Sequence, residues 1–435
     1  MILMILLLSL LISGCTGLPG LDPQDVTILS PPPTTAPTGA ITERPPSSTT
    51  PLPEKFQWET DTVKAIWLTQ FDMSPVYQQD GHQRTQADFT QKARVIFQNI
   101  RQMGFNTVFL QIRPNGDSMY PSDIFPMSAY VTGLYGKQPD YDPVEILVDL
   151  ARQEGLSVHA WINPMRAMKK EAITQVKTDT ALGRLILQQP DALVLVGDTW
   201  YLDPGWPQVR RLIADGAREA MTRYAFDGLH MDDYFYPTTA KTFDLQSYEV
   251  LGGGRDQDDF RRQNLNALVR ELYDIAHEAG GVFGVSPAGN IRTVYNEHYA
   301  DVYTWCSQEG FLDYICPQVY FGLEHETHDF ISVCRTYDDI IHTDSVELLI
   351  GMTFGKALSQ EDPYAGSGKN EWAENRDVLA RSLLSIQGLS HGKGVSVFCY
   401  SYLYDPLTAQ PVEETQQEQE NFFPILEKWK VERKP

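Results

Sequence analysis

From residue 63 onward the apolar positions switch repeatedly between two periods. VKAIWLTQFD (63–72) is dense in aliphatic and aromatic residues and predicts a strand. QADFTQKARVIFQNIRQMG (86–104) has helical spacing and closes at Gly104. NTVFLQIRPNGDSMYPS returns to a period of two, with Val108, Leu110 and Ile112 on one face and Gln111 and Arg113 on the other. YDPVEILVDLARQEG predicts a helix with a proline near its first turn and Gly155 at its end. SVHAWINPMR then sets His159, Trp161 and Asn163 opposite Val158, Ala160 and Ile162. An excursion from about Ala167 to Pro204 follows, in which ALVLVG and TWYLDPG have the pattern of a small hairpin. After the helix PQVRRLIADGAREAMTRY comes FDGLHMDDYFYP, a short strand ending in acid. Leu229 and Met231 share one of its faces, and His230, Asp232 and Tyr234 the other.

The alternation continues to the end of the chain. A second excursion, TTAKTFDLQSYEVLGGG, leads to the helix DQDDFRRQNLNALVRELYDIAHEAG. The strand GVFGVSPAGN, a helix near 297–309 and the strand LDYICPQVYFG come next. A helix from Asp329 to about His342, the strand ELLIGMTFG, the helix ENRDVLARSLLSIQG and the strand GVSVFCYSYL follow. The closing helix is QEQENFFPILEKWK, which Pro424 should kink or divide. About eight strands alternating with about eight helices imply parallel strands with helical crossovers. The expected fold is therefore an α/β (β/α)8 TIM barrel over residues 58–435, with enlarged loops after the third and fourth strands. A doubly wound open sheet is disfavoured, because no Gly-x-Gly-x-x-Gly follows an early strand.

In such a barrel the chemistry gathers at the carboxyl ends of the strands. Those ends present Gln111, Arg113 and Asn115, then Trp161, Asn163 and Arg166, then His230, Asp232, Asp233 and Tyr234. The later strands add Ser286, Asn290, Gln318, Tyr320, Tyr400 and Tyr402. Amides and guanidinium groups pair with hydroxyls, flat rings stack on pyranose faces, and carboxylates do acid–base or nucleophilic work. The inventory suits a sugar. Each member also has a plainer role: Asp233 as a turn cap, Arg113 as the partner of a buried carboxylate, Trp161 as barrel filling. Asp232 is the first candidate for a catalytic carboxylate and Asp233 the second. Adjacent strand residues face opposite ways, so both can serve only if the strand breaks there. Asp72, Asp117 and Glu309 are further candidates for a second carboxylate.

The amino terminus changes the picture of where the protein works. MILMILLLSLLISGC (1–15) is too short an apolar run for a permanent span and has the form of a secretory leader. Ile12-Ser13-Gly14-Cys15 resembles a lipobox, which implies lipidation at Cys15, although no Lys or Arg precedes the apolar run. Residues 16–57 are rich in Pro, Thr and Ser and lack a hydrophobic period, as a disordered tether would be. The expected location is the extracytoplasmic side of a cell membrane, held through the N-terminal lipid. The formal net charge of −22 lies almost wholly beyond that tether, which argues against nucleic acid as a partner. Cys306, Cys316, Cys334 and Cys399 form no Cys-x-x-Cys pair, and neither a metal nor another cofactor is called for.

QIRPNGDSMYPS, DPVEILVDLARQEGLSVHAWINPMR, FDGLHMDDYFYP, GVSPAGN and CPQVYFG together resemble the bacterial glycosyl-hydrolase-like family 10 proteins. The resemblance runs through nearly the whole barrel in order. It implies a (β/α)8 barrel, often on an envelope lipoprotein, and an association with cleavage of peptide-stripped peptidoglycan strands. FDGLHMDDYFYP is also similar in layout to the fourth-strand motif of chitinase-like barrels. Asp232 keeps one of that motif's acids, but His230 replaces another and Tyr234 stands where its catalytic Glu would be, so a substrate-assisted mechanism is not carried over. The expected function is a membrane-anchored glycoside hydrolase acting on a cell-wall polysaccharide or oligosaccharide. The alternative is a glycan-binding lipoprotein without turnover.

Overall fold

The computed structural model describes residues 26–28, 61–233 and 235–433. Eight parallel strands close into a barrel: β1 (Val63–Leu68), β2 (Thr107–Arg113), β3 (Ser157–Ile162), β4 (Gly228–Met231), β5 (Val282–Val285), β6 (Tyr314–Ile315), β7 (Glu347–Thr353) and β8 (Gly392–Phe398). Each pairs with its successor, and β8 pairs with β1. The crossover helices are α1 (Gln86–Gln102), α2 (Pro143–Gln153), α3 (Pro207–Arg223), α4 (Gln257–Glu278), α5 (Val302–Ser307), α6 (Phe330–Asp339), α7 (Val378–Ser385) and α8 (Gln416–Lys428). The expected (β/α)8 barrel is the fold. Local signals place its helices: Asp142 caps α2 through the amides of Val144 and Glu145, with Pro143 in the first turn where no amide is needed. Pro424 does not divide α8; it lies on the exposed side, where solvent can serve the carbonyl its missing N–H leaves open.

The barrel interior is filled by rings, and glycines on the facing strands make the room. The Trp67 indole N–H donates to His230 Nε2 (3.2 Å), and His230 stacks on Phe109 with centroids 4.1 Å apart. Tyr314 Oη lies 2.9 Å from Nδ1 of both His230 and His159. A Cβ at Gly284 would sit 2.1 Å from the Tyr314 ring, and one at Gly228 would sit 2.7 Å from His159 Nδ1. These glycines serve as space rather than as turns.

The loops on the carboxyl side are long. The excursion after β3 contains the expected hairpin, Leu193–Val196 against Thr199–Leu202, extended by the strand Arg166–Lys169. The outer edge of Leu193–Val196 pairs antiparallel with Val26–Ile28, so three residues of the segment expected to be a disordered tether form a strand. An apolar edge such as LVLV needs a partner, and composition averaged over the tether hides one three-residue match. The leader with Cys15 and the rest of the tether lie outside the described residues. The loop after β4 is pinned to α4 by a buried ion pair. Arg261 Nη2 lies 2.6 Å from Asp244 Oδ1, and its guanidinium sits 4.6 Å from the Tyr299 ring and 5.2 Å from Tyr236. The loops after β2 and β7 are also enlarged, spanning 114–142 and 354–377.

Candidate active site

The end of β2 builds one half of the mouth. Its register slips between Gln111 and Arg113, which re-aims the last residues of the strand. Gln111 accepts from the Gln70 amide (2.8 Å) and donates to Asn163 Oδ1 (3.0 Å). Arg113 is buried over the Phe125 ring, at 4.6 Å, and its Nη2 donates to the carbonyls of Asn163 (2.7 Å) and Pro164 (2.8 Å). Its Nε and Nη1 have no hydrogen-bond partner among the described residues. Burial pulls its pKa down to about 10, against the opposing pull of Tyr120, Asp117 and Asp232. Asp117 is buried beside it, which pushes its carboxyl up to about 6, although Ser128 and Asn115 hydrogen-bond to it. Asn115, expected as a substrate contact, thus supports Asp117.

The other half is built by β4. The strand stops at Met231, so Asp232 and Asp233 lie beyond it and are released from strict alternation. The condition for both acids to face the mouth is met. Asp232 is buried within the field of Arg113. Asp233 accepts a hydrogen bond from the Gln318 side chain, and burial of its carboxyl pushes its pKa up to about 6 against the opposing pull of that bond. Gln318 in turn donates to the Ser286 carbonyl (3.1 Å). Beyond Gln318 an open cleft runs over the ends of β6 to β8, walled by Tyr320, Phe398, Tyr402 and Tyr364. Trp161 is buried, edge-on to His230 with centroids 6.5 Å apart, and its indole N–H has no hydrogen-bond partner among the described residues. Arg166, half-buried in the excursion sheet, acts electrostatically on Tyr130 and Tyr201.

Several expected site residues have other roles. His230 is wholly buried one layer below the mouth, where burial, with His159 beside it, holds it neutral and its pKa well below the ordinary value. Tyr400 points away from the mouth: its hydroxyl accepts from Asn99 of α1 (3.1 Å). The chain leaves β8 for a turn at Tyr400–Tyr402, which ends the alternation and puts Tyr402 on the cleft instead. Asn290 caps the short helix Ile291–Asn296 through the amides of Arg292 and Thr293. Ser286 is fully buried and acts through its carbonyl. Asp72 is buried in a capping box with Thr69 and also accepts from the Ser401 amide (3.0 Å). Glu309 is exposed between α5 and the start of β6, at the barrel's other end. Tyr234 lies outside the described residues. Gln70, Lys356 and Asp362 were missed. Gln70 and Lys356 lie in the short helices Gln70–Tyr77 and Gly355–Ser359, and Asp362 in a loop, and none of the three stands on a strand whose alternation would mark an inward side. All four cysteines beyond the tether are free and buried.

A closed (β/α)8 barrel with carboxylates, an arginine and rings over the carboxyl ends of its strands has the build of the glycoside-hydrolase TIM barrels. The chain belongs to the glycosyl hydrolase-like 10 family, whose model matches residues 62–365. It is 31% identical over 404 residues to the glycosyl hydrolase DigH of Escherichia coli K12, covering 85% of this chain and 89% of that one. It is 31% identical over 319 residues to the glycosyl hydrolase YngK of Bacillus subtilis, covering 68% of this chain and 61% of that one. Among solved structures, the catalytic domain of a β-amylase from Paenibacillus polymyxa superposes with a TM-score of 0.51 at 11% identity, over 84% of this chain and 98% of that one. That likeness is one of fold.

Proposed function

We propose that this protein is a glycoside hydrolase that cleaves a bacterial cell-wall glycan, with peptide-stripped peptidoglycan strands as its substrate, and that it is held at the membrane by a lipid on Cys15. The observation that carries the catalytic part is that two neighbouring acids have different partners, Asp232 within the field of Arg113 and Asp233 on Gln318, which lines the aromatic cleft. Glycosidases need two carboxyl groups with separate duties. Asp233, pushed up to about 6, is suited to hold a proton near neutrality and pass it to the leaving oxygen. Asp232, opposite a guanidinium, is the nucleophile or base. Asp117 shares the charge of Arg113, which the carbonyls of Asn163 and Pro164 hold in place. The membrane and substrate parts rest on the leader, the tether and the family resemblance.

The test is mass spectrometry of products after incubation with intact and with peptide-stripped cell-wall glycan. New reducing ends from the stripped material are expected. If neither glycan yields any, a binding protein without turnover remains. Cys15→Ser should release the protein from the membrane fraction or stall its processing, and unchanged retention with normal maturation would remove the anchor.

A further inference from the structure

The cleft beyond Gln318 contains a charge pair that the proposed catalysis does not use. Lys356 Nζ lies 3.0 Å from Asp362 Oδ1, with the two side chains 12% and 2% exposed. Asp362 Oδ1 also accepts from the Tyr364 amide (3.3 Å), whereas its Oδ2 has no hydrogen-bond donor among the described residues. His325, on the same wall, accepts at Nδ1 from the amides of Thr327 (3.3 Å) and His328 (3.1 Å). Its proton therefore sits on Nε2, and burial lowers its pKa, keeping the ring neutral. The lining thus combines aromatic faces, a mutually neutralised ion pair and one buried acceptor with nothing to accept.

We infer that this cleft binds an uncharged sugar unit, one that offers a hydroxyl or amide N–H to Asp362 Oδ2 while a ring face rests on the cleft's aromatic side chains. The inference builds on the glycosidase reading above and specifies which unit sits beside Asp233. A carboxylate-bearing unit would meet the bare Oδ2 of Asp362. A cationic amino sugar would be drawn to that oxygen but would stand close to Lys356, and it would lose hydration without a net charge to compensate. A neutral donor fills the vacant lone pair and carries no charge penalty. Continuity with the chemistry comes through Gln318, which lines this cleft and hydrogen-bonds to Asp233.

The experiment is calorimetry with a β-1,4-linked hexasaccharide of N-acetylglucosamine and with its fully de-N-acetylated counterpart, at a pH where the free amines are charged. Binding is read on the Asp232→Asn protein, so that turnover does not consume the ligand. The N-acetylated probe should bind at least about tenfold more tightly, the scale of one good hydrogen bond. Adding Asp362→Asn should cut that affinity by about tenfold. Adding Lys356→Met should raise affinity for the cationic probe, a gain that misfolding cannot produce. Equal or tighter binding of the cationic probe by the unaltered cleft, or no change in either variant, overturns the inference. The reducing-end assay above judges catalysis separately, so the two can fail independently.

Discussion

The hydroxyl of Tyr314 lies 2.9 Å from Nδ1 of His230, and that contact sets the protonation of the barrel core. Trp67 can only donate, so His230 Nε2 accepts from it and Nδ1 carries the ring's proton toward Tyr314. The Tyr314 hydroxyl is then left to donate to His159 Nδ1, also 2.9 Å away. Donor follows acceptor through four buried side chains on four strands, and both imidazoles are neutral.

Stability in acid should reflect this. Burial lowers the pKa of His159 from 6.5 to about 3 and that of His230 well below 6.5. Below 6.5 the unfolded chain takes up protons that the folded one refuses, so stability present above that pH is lost as the pH falls through the interval. Each histidine contributes a slope of up to about 1.4 kcal/mol per pH unit. Urea titrations between neutral and mildly acidic pH should show a shallower acid loss for His159→Gln than for the wild type. Equal slopes would place the acid sensitivity elsewhere.

Gly284 should be among the least replaceable positions. A Cβ there would sit 2.1 Å from the Tyr314 ring, and Tyr314 is enclosed on all sides. Gly284→Ala is expected to cost about 3 kcal/mol, the upper part of the usual range for overpacking, read as a lowered urea midpoint. A midpoint unchanged from wild type would mean that the ring can shift.

Removing the cation from the α4 ion pair should also destabilise the fold. Arg261→Met leaves Asp244 buried near Asp203, whose own carboxyl is already pushed up to about 7 by burial and by Asp244. Breaking such a pair from one side costs about 3–5 kcal/mol. Because the pair pins the loop that follows β4, glycan turnover should fall with stability. Chemical denaturation and rate measurements on the same preparation check both.

Asp232→Asn preserves shape and removes a titrating group. Turnover should drop at least about a hundredfold, the lower end for acid–base catalysis, with glycan binding retained. A purified variant that cleaves at the wild-type rate would make Asp232 structural.

Asp233 should set the alkaline limb of the activity profile. Its carboxyl is raised from 3.8 to about 6 and has to be protonated to act as an acid, so kcat should decline as the pH rises through about 6. Asp233→Asn should remove that limb along with most of the rate. A residual activity that keeps the same limb would assign the titration to another group, with Asp117 the next to test.

Period and spacing were enough to read the barrel, its eight helices and the hairpin after β3. They also found the acids at the end of β4 and the arginine at the end of β2. Depth was harder to read. His230 and Asp232 share a face by alternation, yet His230 is locked into the core rings while Asp232 lies just past the end of the strand. Nothing in a period of two reports that level. Asp72 and Asn290 failed differently, because a polar residue just past a strand caps the helix that follows as readily as it meets a ligand. Tyr400 failed because the strand had ended two residues earlier, where alternation stops.

The rings on the barrel axis give the mouth a single doorway. Trp67, Phe109, His230 and Tyr314 leave no lumen to thread, so arrival and departure share one face. For the glycan proposed above, a long strand would drape sideways over the rim. A bond in its middle could then be reached without first finding an end, and the severed pieces would leave by lifting off rather than by sliding through a tunnel.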